Sequence, residues 1–91
     1  MLKTKKGFIL RRMLEEYMVV AVGEAGQRFN GMIRLNATGA FLWEALEKGS
    51  TEDELVQKLL DRFEDLDEPT ARMDLKEFLS TIRFALEDEQ P

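Results

Sequence analysis

The chain contains no cysteine and no histidine. The first absence excludes a disulfide framework, a thiolate nucleophile and a thiolate zinc site. The second removes the side chain that most often serves as general base and transition-metal ligand. Long apolar runs are missing too. Nothing approaches the ~18 residues of a membrane span, so no membrane partner is expected. The basic start, MLKTKKGFIL, has too short an apolar run for a signal peptide, and the expected location is cytoplasmic. Positive charge is in deficit. Thirteen basic residues against 18 acidic ones leave a net charge of −5. That argues against nucleic-acid binding, which depends on neutralising phosphates.

What is present suits one small folded domain. The chain has 91 residues, 44% of them hydrophobic and 34% charged. Domains commonly run to ~100–150 residues, so residues 1–91 are read as a single domain, with ends fraying at about 1–6 and 88–91. A chain this short has little room for a deep, closed active site.

The first third reads as strands. Gly7–Leu14 and Tyr17–Gly23 are rich in β-branched and aromatic residues, with Glu15 and Glu16 as a tight turn between them. Gly23–Gln27 reads as a turn and Phe29–Asn36 as a third strand, with Gly31 marking a bulge or close approach. The rest reads as helices. Ala37–Lys48 has Asn36 as N-cap and Gly49 just past its end. A second helix opens with a capping box, Thr51 and Glu54. Its Leu55, Val56, Leu59, Leu60 and Phe63 share one face. A third helix has Pro69 at its first position, with Ala71, Leu75, Phe78, Leu79, Ile82 and Leu86 as its apolar stripe. The order β-β-β-α-α-α predicts an α+β fold of winged helix-turn-helix type, a three-stranded antiparallel sheet followed by three helices.

Catalytic chemistry finds no carrier. Ser50 and Ser80 have no histidine partner, and the acidic runs at 52–54, 64–68 and 87–89 lack the spacing of a calcium loop. No metal, no cofactor and no enzymatic activity are expected. The stretch RLNATGAFLWEAL, Arg34 to Leu46, reads as a core-forming strand-to-helix junction, with an aromatic platform at Trp43 as the alternative. On the third helix Arg72, Lys76, Leu79 and Arg83 form one line. It reads either as a solvated edge or as one wall of a groove for an acidic-apolar peptide. Met73 and Phe84 lie opposite the core stripe and mark a possible contact surface.

The runs FNGMIRLNATGAFLWEAL, TEDELVQKLLDRF and DLKEFLSTI resemble the PqqD-like family. These are small peptide chaperones of pyrroloquinoline quinone and related peptide-modification pathways, also called RiPP recognition elements. The matching positions are Leu35, Asn36, Thr38, Gly39 and Trp43, then Asp74, Leu75, Phe78 and Leu79. The chain departs from the family in closing its third helix with FALEDEQP rather than a Gly-Leu ending. The resemblance implies a winged helix-turn-helix that binds the leader segment of a ribosomally made precursor peptide. The leader would add as a strand beside the third strand and be presented to a modifying enzyme, often of the radical S-adenosylmethionine type. The implied peptide-binding residues are Gly31, Met32, Ile33, Arg34 and Leu35 on the strand. On the third helix they are Arg72, Leu75, Lys76, Phe78, Leu79, Ile82 and Arg83. The alternative is a winged-helix DNA-binding regulator, which would want a basic recognition helix. The second helix is predominantly acidic.

Overall fold

A two-residue turn at Leu14–Glu15 starts the main sheet, one residue earlier than the sequence suggests. The computed structural model describes residues 1–28 and 31–88. In it β2 (Phe8–Met13) and β3 (Glu16–Ala21) follow a short β1 (Leu2–Thr4). Met13 pairs with Glu16, and Leu14 takes a positive φ of 56°. Tight hairpin turns require such a conformation. The register places Leu10 opposite Val19 and Phe8 opposite Ala21. Phe8, Leu10 and Val19 all pack on the core, and a one-residue slip would turn that face to solvent.

Gly23 to Gln27, expected as a turn, lies largely in a short helix, α1 (Glu24–Arg28). Gly23, at φ 62°, ends the strand. Gly26 closes the helical turn against β3, where a Cβ would stand 3.1 Å from the Ala21 carbonyl oxygen. The third strand is shorter than expected. β4 spans Met32–Leu35, Gly31 precedes it, and Phe29 and Asn30 of the expected strand lie outside the described residues. The sheet order is β2-β3-β4, antiparallel throughout.

Three helices follow, as expected: α2 (Ala37–Glu47), α3 (Glu52–Arg62) and α4 (Glu68–Thr81). The starts of α2 and α3 are those the sequence marks, and α4 begins at Glu68, one residue before the expected Pro69, because Asp67 caps it. The Asn36 side chain accepts from the Gly39 N–H at 2.7 Å. Thr51 and Glu54 form a reciprocal capping box, and Asp67 accepts from the Thr70 N–H. α4 stops at Thr81, before the expected stripe ends. A 3₁₀ turn (Arg83–Ala85) then leads into β5 (Leu86–Asp88). β5 pairs antiparallel with β1, Leu2 opposite Asp88 and Thr4 opposite Leu86. The expected fraying of 1–6 and of Asp88 is therefore corrected for Leu2–Thr4 and Asp88. Leu2 and Leu86 pack on the core from this ribbon, which gives both segments a reason to order. Residues 89–91 lie outside the described residues.

The core sits between the inner face of the sheet and the three helices. Trp43 is fully buried among Leu42, Leu46, Leu55, Leu59 and Leu75. The strand-to-helix junction from Arg34 to Leu46 thus delivers Trp43 to the core. Phe84, expected as an exposed contact residue, is half-buried with its ring edge-on to Phe8 at 5.4 Å, whereas Met73 is 70% exposed. No helix among the described residues is long and apolar enough to cross a membrane.

Candidate functional site

β4 has β3 on one side and no strand on the other among the described residues. The register tells which backbone groups face the open side. Val22 donates its N–H to the Gly7 carbonyl at 2.7 Å, one step beyond the Phe8–Ala21 pair. Successive strand residues direct their backbone groups to opposite sides. Val20 and Met18 therefore bond toward β2, and Val19 and Tyr17 toward β4. The β4 partners of Val19 and Tyr17 are Ile33 and Leu35. The N–H and C=O of Met32 and Arg34 are left pointing outward. The side chains alternate in step: Ile33 and Leu35 are half-buried, while Met32 and Arg34 are exposed.

Where β4 ends, an open cleft of about 710 Å³ begins. Asn36, Thr38, Gly39 and Leu42 line it from the start of α2. Leu59 and Phe63 line it from the end of α3, and Asp65 and Leu66 from the loop beyond. Asp74, Glu77, Phe78 and Thr81 close it from α4. Gly39 holds the two walls together. A Cβ there would lie 3.2 Å from the Phe78 ring and 3.3 Å from the Leu35 Cβ. The absence of a side chain is what lets α4 approach the strand end this closely.

The residues implied as peptide-binding separate into groups. Gly31 to Leu35 form the open edge and the residue before it. Phe78 lies in the cleft. Leu75 and Ile82 are buried in the core and hold α4 in place. Arg72, Lys76 and Leu79 do not line this cleft. With about 3.6 residues per turn, they stand on the opposite side of α4 from Asp74, Phe78 and Thr81. Lys76, Leu79 and Arg83 instead border a smaller hollow of about 290 Å³ beside the β1–β5 ribbon. Arg72 is held by Asp53 at 3.1 Å and by Glu68 at 3.6 Å. The hydrogen bond to Asp53 keeps its guanidinium more firmly protonated than usual. The line of bases is thus a partly neutralised edge, away from the cleft.

The sequence reading gave no binding role to Asp74 and Glu77 on α4, nor to the helix-end residues Phe63 and Leu66. A signal was available. The resembling positions Asn36, Thr38, Gly39, Asp74 and Phe78, far apart in sequence, all line this one cleft. Among the described residues no group of acidic side chains could hold a metal ion.

Comparison with solved structures gives two close folds. The first, TbiB1 in complex with the TbiA(beta) leader peptide, is 22% identical and superposes with a TM-score of 0.75. It covers 98% of this chain and 99% of its own. The second, lasso peptide synthetase B1 complexed with the leader peptide, is 12% identical with a TM-score of 0.76. There the shares are 96% and 98%. Sequence comparison with curated proteins finds no match. The family model of coenzyme PQQ synthesis protein D (PqqD) matches residues 16–83, from the start of β3 past the end of α4. This chain is therefore a member of the PqqD family.

Proposed function

We propose that this protein is a non-catalytic peptide chaperone acting in the cytoplasm. It binds the leader segment of a ribosomally synthesised precursor peptide by strand addition along β4. It then presents that peptide to a modifying enzyme of the radical S-adenosylmethionine type. The observation that carries this is the outer edge of β4, which no strand covers among the described residues and which runs directly into an apolar cleft. Main-chain bonds along such an edge give binding that tolerates sequence, and a side-chain pocket adds selectivity. Family membership supports the same role, as do two proteins of this fold solved with leader peptides. Binding engages the backbone of Gly31–Leu35 and the Phe78 side of α4, with Leu75 and Ile82 as supports. A DNA-binding role has no comparable support. The exposed positions of α3 carry Glu52, Asp53, Glu54 and Asp61 against Lys58 and Arg62, a net negative balance opposite in sign to what phosphates require.

The test is amide chemical-shift mapping with the leader of the cognate precursor peptide. Shifts should concentrate on 31–35 and on the cleft side of α4. Met32→Pro should abolish binding while leaving the sheet folded, because proline lacks the N–H that points outward here. Shifts confined to α1 or to the exposed face of α3 would refute strand addition.

A further inference from the structure

The cleft beyond β4 is apolar on its walls and acidic on its rim. Leu42, Leu59, Phe63, Leu66 and Phe78 supply the walls. Asp65, Asp74 and Glu77 supply the rim, and no Lys or Arg lines the cleft. All three carboxylates are exposed, and none has an ion-pair partner among the described residues. Arg62 lies over the Phe41 ring at 4.7 Å and near the Phe63 ring at 5.9 Å, outside the lining. The whole chain adds a net charge of −5.

From this arrangement we infer that the cleft selects a peptide with an apolar anchor residue accompanied by lysine or arginine. The geometry also fixes which end of the peptide carries the base. The sheet is antiparallel throughout, and antiparallel pairing is the more stable mode for an added strand. A peptide running antiparallel to β4 passes Leu35 with its N-terminal portion. The residues that enter the cleft are therefore those preceding its paired segment. The anchor fills the pocket between Leu42 and Phe78, and the neighbouring base reaches Asp74 and Glu77, one helical turn-edge apart on α4. This selectivity rests on strand addition along β4, and it is opposite in sign to what the Arg72, Lys76 and Arg83 line suggests from sequence. Those bases stand on the far side of α4.

The experiment is selection of a randomised twelve-residue peptide library, displayed on its encoding RNA, against the intact protein. Counter-selection uses the Met32→Pro variant. Enriched peptides should carry Lys or Arg next to an aromatic or aliphatic residue on the N-terminal side of a β-prone segment. A synthetic peptide of the enriched type should bind the Asp74→Asn, Glu77→Gln double variant about three- to tenfold more weakly, as expected for losing one or two exposed ion pairs. The difference should shrink in high salt. Moving the base to the C-terminal flank should produce the same loss on the parent protein. Enrichment that depends on the β4 edge but shows no basic preference, or an acidic one, overturns the charge selectivity and leaves strand addition standing. So does equal binding to parent and double variant. A library that yields nothing, or only peptides binding the Met32→Pro variant equally well, overturns strand addition itself.

Discussion

Trp43 illustrates how one side chain can set the limit on stability. Its ring is fully buried, and its indole N–H finds no acceptor among the described residues. An unsatisfied buried donor costs about 1–3 kcal/mol, so the residue stabilises through ring volume and not through its polar atom. Trp43→Ala should lower stability by about 3–5 kcal/mol, a large part of the ~5–15 kcal/mol a small domain holds. Trp43→Phe should cost clearly less, because it keeps most of the volume and removes the unpaired donor. Urea denaturation of both variants checks this. Equal losses would show that the indole nitrogen matters.

The helices depend on their first turns. Glu54 and Asp67 each accept or exchange hydrogen bonds at a helix start, with Thr51 and Thr70 respectively. Those bonds hold both carboxyls below their ordinary values of 4.5 and 3.8. A lowered pKa in the folded state means that the folded form keeps its carboxylate while the unfolded form takes up a proton. The caps therefore stabilise fully above those ordinary values and lose their effect as pH falls below them. Thermal melting should drop as pH is taken from about 6 to about 3. Asp67→Asn keeps a capping oxygen that does not titrate, and its melting curve should fall less steeply over the same range. An unchanged slope would mean that other carboxylates carry the acid sensitivity. β4 obeys a different rule. It pairs with β3 on one side, and among the described residues no strand returns to its other edge.

At the scale of the molecule, the two ends of the chain tie the helical layer together. β1 pairs with β5, Leu2 exchanges backbone bonds with Ser50 at 2.7 and 2.8 Å, and Lys5 donates to the Ala85 carbonyl at 2.7 Å. The ribbon thus staples the α2–α3 connection to the segment after α4. Removing residues 1–4 strips the Leu2 contact and several of these bonds. It should cost about 2–4 kcal/mol, read as a lower urea midpoint with little change in slope. A midpoint equal to that of the full chain would show the ribbon to be dispensable.

Local chemistry was enough to place the helix starts and the hairpin. Asn36, Thr51 and Pro69 act within a turn of themselves, and the β-branched and aromatic content of β2 and β3 is a local signal too. The core role of Trp43 followed from the density of apolar residues around it. The order of Leu2–Thr4 and Asp88 was misread because β1 and β5 order only against each other and the core, and a pairing of Leu2 with Asp88 or of Thr4 with Leu86 is one that no local pattern signals. The cleft was half legible. The resembling residues from Asn36 to Phe78 line it, yet the side of α4 that faces it was decided by packing. Ala71, Leu75 and Ile82 point into the core, and the flank that then meets β4 depends on how α4 crosses the sheet. That crossing, set by Phe78 against Gly39 and Leu35, turned Asp74 and Glu77 toward the strand edge and Arg72, Lys76 and Arg83 away from it.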